Sequence, residues 1–145
     1  GSMTAPSKLD LVVDTNVLLV SIPEKSPYHW LYRALIEGKF CLHVTIDILS
    51  EYEEIIGNKL SPQVATAVIR MLVESENVSF TNILFSYNLI EQDPDDNKFV
   101  NCAINSNAHF IVTHDRHFNV LQEINFPRVR TINIQKLQQL LIDLA

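Results

Sequence analysis

Short hydrophobic runs alternate along the chain with stretches in which apolar residues recur every three or four positions. The short runs are rich in β-branched and aromatic residues, which is typical of strands that are buried on both faces. They predict strands over 9–14, 40–44, 78–80, 109–113 and 129–133. The pattern is otherwise ambiguous between residues 77 and 90.

The stretches with helical spacing begin with helix-start signals, in which Ser, Thr or Asp precedes the first apolar residue. The first strand, in contrast, is followed by Asp14-Thr15-Asn16, which has the composition of a turn. Predicted helices begin near Ser26-Pro27, Thr45 or Asp47, Ser61-Pro62, Asp93-Pro94-Asp95-Asp96, residue 117 and Ile134.

Strands that alternate with helices predict an α/β fold, in which a parallel sheet is covered on both faces. A length of 145 residues is typical of one domain, which we expect to span residues 4–145. Gly1-Ser2-Met3 resembles the remnant of an expression tag. In such sheets, ligands bind beyond the carboxyl ends of the strands, where the strand order reverses. The residues that follow the strands are therefore the first candidates for a functional site.

The composition narrows the class of protein. A hydrophobic fraction of 47% fits a globular domain, and neither a membrane span nor a secretory signal is evident, so we expect a cytoplasmic protein. Cys41 and Cys102 lie in apolar stretches and are expected to be free thiols in the core.

A net charge of −6 argues against nucleic-acid binding through a broad basic surface. It is compatible with a metal-dependent nuclease, in which carboxylates gather at one point.

Two aspartates end the clearest strands of the sequence. Asp14 follows the first run and Asp115 follows the strand over 109–113, so both carboxylates are expected at the same edge of the sheet. Each of them could instead cap the helix or turn that follows. Asn16 could orient Asp14 or simply hold the turn.

Further acids come from two helices. Glu51 lies three residues after Ile48 and four before Ile55, at the edge of an apolar helix face. Either Asp96 or Asp95 could point into the crevice from the start of the later helix, and Asp96 is preferred. Asp93, which precedes Pro94, is interpreted as a turn residue.

The four preferred acids come from four separate segments and would repel one another in a partly buried site. No lysine or arginine is placed in the sequence to neutralise all of them. A hard dication with oxygen ligands removes this repulsion, and Mg²⁺ or Mn²⁺ is the expected ion. The sequence therefore predicts a metal site at Asp14, Glu51, Asp96 and Asp115, with Asp95 as a further candidate ligand.

Four segments that carry these acids resemble the PIN-domain family, and most closely its VapC-like toxins of bacterial toxin–antitoxin pairs. The resemblance covers essentially the whole chain, with the motifs in the family's order. It rests on the segments 12–18, 48–55, 93–99 and 111–115.

The resemblance implies a three-layer α/β/α fold with a central parallel sheet of about five strands. It also implies a Mg²⁺- or Mn²⁺-dependent ribonuclease that hydrolyses RNA, with an antitoxin protein and a second copy of the chain as expected partners. By matching positions, the same four acids would form the metal site, and Asn16 or Thr113 would support it. The stretch between Asp96 and Asp115 is a residue longer than in the compact VapC-type toxins, which leaves Asp95 open as an alternative.

Basic residues near these acids are candidates for contacts with the substrate. Lys98 and Arg116 could bind phosphate, and His114 and His117 could bind phosphate or donate protons, although a solvated surface role is the simpler interpretation.

Two other functions compete with a nuclease. A phosphatase of the haloacid-dehalogenase type also has a strand-end aspartate, but it needs a second acid two residues later, where this chain has Asn16. A catalytically silent domain that binds RNA or protein would have the same fold, because fold alone does not establish chemistry.

Overall fold

The computed structural model describes residues 8–145, so the expected tag remnant at 1–3 lies outside the described residues. In this part of the chain, five strands form one sheet in which every neighbouring pair is parallel, in the order β3-β2-β1-β4-β5. The strands are β1 (Asp10–Val13), β2 (Cys41–Val44), β3 (Val78–Phe80), β4 (Phe110–Val112) and β5 (Thr131–Ile132). All five predicted strands are confirmed: β3 has the predicted bounds, and each of the other four is shorter by one to three residues in total.

Helices cover both faces of this sheet, as the predicted three-layer α/β/α architecture requires. Leu11, Val12 and Val13 are consecutive in β1 and all are buried, although their side chains alternate between the two faces. The α-helices are α1 (Thr15–Ser21), α2 (His29–Ile36), α3 (Ile46–Lys59), α4 (Pro62–Glu74), α5 (Asn97–Ser106) and α6 (Ile134–Leu144). Short 3₁₀ helices span Pro94–Asp96 and Arg116–Glu123.

Helix α1 occupies the segment where the sequence predicted a turn. Val17, Leu18 and Ser21 of this helix are buried, so one face of it packs into the core. Asp14 is the N-cap residue of α1, but its side chain makes no capping hydrogen bond. The predicted turn is therefore wrong, and the correction leaves the Asp14 carboxylate available for other contacts.

Helix α3 begins after Thr45, which is the first of the two cap residues predicted for it. The hydroxyl of Thr45, rather than the carboxylate of Asp47, accepts a hydrogen bond of 3.1 Å from the backbone nitrogen of Ile48. One turn later, the buried Tyr52 donates a hydrogen bond of 2.5 Å from its hydroxyl to the carbonyl oxygen of Val13. This bond fixes the middle of α3 against the end of β1.

Three asparagines, spaced four residues apart on α5, hold the irregular segment between β3 and the 3₁₀ helix at Pro94. The side chains of Asn105 and Asn101 accept hydrogen bonds of 2.7–2.9 Å from backbone nitrogens of residues 84, 85 and 87. Asn97 bonds both backbone groups of Ile90 at 2.9 Å and the side chain of Asn88 at 2.7 Å. A segment without regular structure is thus attached along one face of a helix.

Two smaller expectations can be compared with the structure. Cys41 and Cys102 are free thiols, as expected, with Cys102 buried and Cys41 partly exposed. None of the helices between residues 8 and 145 has the length and apolar character needed to cross a bilayer.

Candidate metal centre

The site is built where β1 and β4 lie side by side, which is the point at which the strand order reverses. Val13 pairs with Val112 in the sheet, so the next residues, Asp14 and Thr113, face each other across the strand ends. The Thr113 hydroxyl donates a hydrogen bond of 2.8 Å to Oδ2 of Asp14 and accepts one of 3.0 Å from the backbone nitrogen of Asp115. One hydroxyl group therefore ties together the two strand-end acids that the sequence singled out.

Asp14 is an acid in a buried position, with 6% of its surface exposed. Burial raises the pKa of its carboxyl group, and the negative charges of Asp115 and Glu51 raise it further, while the hydrogen bond from Thr113 opposes them. The charged form of Asp14 therefore has an unfavourable free energy in the absence of a nearby cation.

Asp96 is buried and Asp95 is exposed, which distinguishes the two acids that the sequence left open. Asp96 ends the 3₁₀ helix and is 9% exposed. Its Oδ2 oxygen is buried and has no hydrogen-bond partner among residues 8–145. Burial raises the pKa of Asp96 to about 8, with further contributions from the charges of Asp93 and Asp115. Buried polar atoms without a partner are rare and call for an explanation, such as a bound ion.

Asp96 and three other side chains form what we call the acidic cluster: Asp93, Asp96, Asp115 and His117. One potential ligand atom from each lies within 4.8 Å of all the others. Nδ1 of His117 is 3.5 Å from Oδ2 of Asp93, 3.5 Å from Oδ1 of Asp115 and 3.9 Å from Oδ2 of Asp96. Three carboxylates and one imidazole form a donor set that suits a divalent cation.

Asp93 and His117 were not predicted as ligands. Asp93 does hold a turn, since its carbonyl accepts a hydrogen bond of 3.0 Å from the nitrogen of Asp96, but its carboxylate also faces the cluster. His117 follows Asp115 by two residues, and its backbone nitrogen donates a hydrogen bond of 2.8 Å to Oδ1 of that residue. The only signal in the sequence was that each of them flanks a predicted acid.

Glu51 lies at a different part of the site and is already paired. One of its carboxylate oxygens accepts a hydrogen bond from the Thr15 hydroxyl, and the other lies 2.7 Å from Nζ of Lys98. Burial acts to lower the pKa of Lys98, but the hydrogen bond and charge of Glu51 outweigh it, so the pKa is raised. The ammonium group therefore stays positive beside the acids.

The remaining predicted residues lie at the rim. Asn16 is exposed and is not among the hydrogen-bond partners of Asp14 within residues 8–145. Arg116 is exposed and, together with His117, lines a groove of about 380 Å³ along residues 89–92. The ring of His114 lies 6.3 Å from that of Tyr28 and is not part of the cluster.

The sequence also matches the model of one known protein family. The family model described as a PIN domain matches residues 10–117. No protein of curated function matches the sequence.

Solved structures with the same fold include a toxin and an endonuclease. VapBC2 from Rickettsia felis, bound to a DNA fragment from its promoter, has a TM-score of 0.60 at 13% identity over 86% of this chain and 98% of its own. VapC20 from Mycobacterium tuberculosis, described as a toxin that cleaves the sarcin-ricin loop, has a TM-score of 0.55 at 14% identity over 75% of this chain and 92% of its own. The PIN domain endonuclease Utp24 has a TM-score of 0.52 at 14% identity over 88% of this chain and 86% of its own.

Proposed function

The chain belongs to the PIN domain family, and on that basis we propose that it is a divalent-metal-dependent endoribonuclease and the toxin of a toxin–antitoxin pair. The observation that carries the proposal is the unpartnered Oδ2 oxygen of Asp96, which is buried within the acidic cluster. An acid in that position is stabilised by a cation, and no Lys or Arg side chain forms an ion pair with Asp96 among the described residues.

The dimensions of the cluster fit one divalent ion. Ligand atoms on opposite sides of such an ion lie about 4–5 Å apart, since metal–oxygen distances are about 2.0–2.6 Å. The ligand atoms of the cluster fall within 4.8 Å of one another. Asp96 and Asp115 would hold the ion, with Asp14 beside them and Glu51 at the rim. A bound Mg²⁺ or Mn²⁺ supplies a strong positive field for the phosphodiester group and acidifies water.

The other residues of the site prepare the acids for this role. Thr113 orients the Asp14 carboxylate, and Thr15 and Lys98 together orient Glu51. Restraint of this kind lowers the cost of ordering the ligands when the ion binds. Burial and neighbouring negative charges raise the pKa values of Asp14 and Asp96 in the metal-free protein, and a bound cation would favour the charged forms of both acids.

Lys98 and Arg116 are the proposed contacts for the RNA backbone. Lys98 keeps its positive charge beside Glu51, and Arg116 projects from the segment that follows Asp115. The net charge of −6 indicates that phosphate is bound at these few positions rather than over a broad basic face.

The proposal of RNA as the substrate is supported by the fold it shares with a toxin that cleaves the sarcin-ricin loop. An antitoxin partner is supported in the same way, because several of the similar structures are toxin–antitoxin complexes. Within such a pair, we expect the toxin to act in the cytoplasm and to be held inactive by its antitoxin.

A ribonuclease assay tests this function directly. Wild type and Asp14→Asn, purified in parallel, are incubated with single-stranded RNA, structured RNA and single-stranded DNA of the same sequence. The reactions contain Mn²⁺, Mg²⁺ or a chelator. We expect RNA cleavage that needs the metal and that the variant lacks. Equal cleavage by both proteins would indicate a contaminating nuclease. Folded, metal-binding protein without any cleavage would favour the catalytically silent binding domain.

A further inference from the structure

We infer that His117 is a nitrogen ligand of the metal, and that the site therefore prefers a first-row transition-metal dication, represented here by Mn²⁺, over Mg²⁺. This inference rests on the proposed function, because it names the ion of the same site. It also adds a ligand that lies outside the four acids expected from the sequence.

The position of His117 supports the assignment. Its Nδ1 atom lies 3.5–3.9 Å from one carboxylate oxygen of each of Asp93, Asp96 and Asp115. Neighbouring ligands of one ion lie about 3 Å apart when each is about 2.1 Å from the metal. The observed separations of 3.5–3.9 Å fall between this value and the about 4.2 Å expected for ligands on opposite sides of the ion. The imidazole belongs to a side chain that is 42% exposed, and its Nδ1 atom is within reach of an ion held by the three carboxylates.

A second observation points to a cation at the same place. Oδ2 of Asp96 has no hydrogen-bond partner in the described chain, and Asp96 is 9% exposed. This oxygen is the one that lies 3.9 Å from Nδ1 of His117. A buried carboxylate oxygen and a ring nitrogen therefore face the same small space without a direct hydrogen bond between them.

The chemistry of the imidazole determines the preference among ions. Mg²⁺ is bound mainly through carboxylates and water, whereas imidazole nitrogen is a common ligand of transition metals. Asp115 also fixes the segment that carries His117, because its Oδ1 accepts the hydrogen bond from the His117 backbone nitrogen. The backbone of His117 is therefore bound to one of the acids that would share the ion with its ring.

The competing interpretation is that His117 is only a counter-ion. A protonated imidazole would offset the negative charge of the three carboxylates in the absence of a metal, and a bound ion would then displace it. The two interpretations differ in one measurable respect, which is whether nitrogen is bonded to the metal.

Pulsed electron paramagnetic resonance of the Mn²⁺-loaded full chain measures this bond. Electron spin-echo envelope modulation detects the ¹⁴N nucleus of a bound imidazole. We expect this modulation in wild type and in His114→Gln, and its loss in His117→Gln. His114 is the matched control because it is an exposed histidine three residues away that does not join the cluster.

Competition titrations supply the second measurement. In His117→Gln, we expect the affinity for Mn²⁺ to fall roughly tenfold or more, while the affinity for Mg²⁺ changes little. Wild-type protein that binds Mn²⁺ without ¹⁴N modulation would overturn the assignment, and so would modulation that persists in His117→Gln. Either result would leave the proposed nuclease function standing. Wild-type protein that binds no divalent ion would instead overturn both.

Discussion

The hydroxyl of Thr113 donates a hydrogen bond of 2.8 Å to Oδ2 of Asp14, across the ends of two neighbouring strands. The same hydroxyl accepts a hydrogen bond of 3.0 Å from the backbone nitrogen of Asp115. Thr113 therefore holds the carboxylate of Asp14 and the backbone of Asp115. The spacing between these two positions follows from the pairing of β1 with β4.

Substitution of Thr113 by valine removes both hydrogen bonds while the shape of the side chain is kept. We expect the free energy of unfolding to fall by about 1–2 kcal/mol, because a buried carboxylate oxygen loses its donor. We expect catalytic activity to fall roughly 10- to 100-fold. Urea denaturation and RNA cleavage rates measure the two effects. Thr131→Val in β5 is the control, since its hydroxyl makes no hydrogen bond in the described structure, and an equal loss of activity there would contradict this role.

The raised pKa of Asp96 predicts how the stability of the metal-free protein changes with pH. The pKa rises from its ordinary value of 3.8 to about 8, so between these values the folded protein holds a proton that the unfolded chain has released. The free energy of unfolding therefore falls as the pH rises through this range. Urea denaturation in chelator at pH 6 and pH 8.5 measures the change. We expect Asp96→Asn to be less sensitive to pH than wild type, and Asp95→Asn to behave like wild type.

The same proton should compete with the metal. Because ligands must be deprotonated, the apparent affinity for Mn²⁺ is expected to increase as the pH rises toward 8. Thermal denaturation with saturating Mn²⁺ should accordingly show a larger stabilisation at pH 8 than at pH 6. Stabilisation by Mn²⁺ that does not depend on pH would indicate that Asp96 is not among the ligands.

Lys98 is predicted to bind RNA through one phosphate group. In an Asp96→Asn background, which is expected to cleave RNA roughly a hundredfold more slowly, Lys98→Met should weaken binding of single-stranded RNA. The slope of log affinity against log salt should become shallower by about 0.7, the value for one phosphate contact on a single strand. Fluorescence anisotropy across a salt series measures both. Lys136→Met on α6 is the control, and an unchanged slope for Lys98→Met would place Lys98 in a purely structural pair with Glu51.

Asn97 of α5 is predicted to position the acidic cluster. Asn97→Ala removes the bonds to Ile90 and Asn88, so we expect faster hydrogen exchange at the Ile90 amide and weaker Mn²⁺ binding. Asn105→Ala is the matched control, because it loosens Leu84 at the far end of the same segment. Mn²⁺ affinity that falls equally in both variants would contradict a specific role for Asn97.

Much of the fold follows from patterns that are local in the sequence. Each strand is a continuous apolar run, and the caps at Thr45 and Ser61 mark helix starts before any tertiary contact is considered. Helix α1 was missed because its apolar residues, 17–20, are consecutive and show no helical period. Their helical form depends on packing of Val17, Leu18 and Ser21 into the core, which the sequence does not reveal.

The site was less predictable than the fold, because it depends on the direction in which side chains of a few short segments point. If the α-helix that contains Val100 is extended towards the N-terminus, both Asp95 and Asp96 lie near the side of the helix that faces the core. The residues before Asn97 instead form a 3₁₀ helix, which advances about 120° per residue and turns Asp96 inward. His117 approaches the cluster from a similar 3₁₀ segment, so its closeness to the acids also had no periodic signature.

The matched pair Asp96→Asn and Asp95→Asn tests the central claim most directly, since each variant replaces one of two neighbouring carboxyl groups. The measurement is the rate of Mn²⁺-dependent RNA cleavage by the two variants and wild type, purified in parallel. A divalent ion bound at the buried acid predicts that Asp96→Asn loses activity roughly a hundredfold or more, while Asp95→Asn stays within about twofold of wild type. Equal rates for the two variants would contradict a catalytic metal site at the acidic cluster.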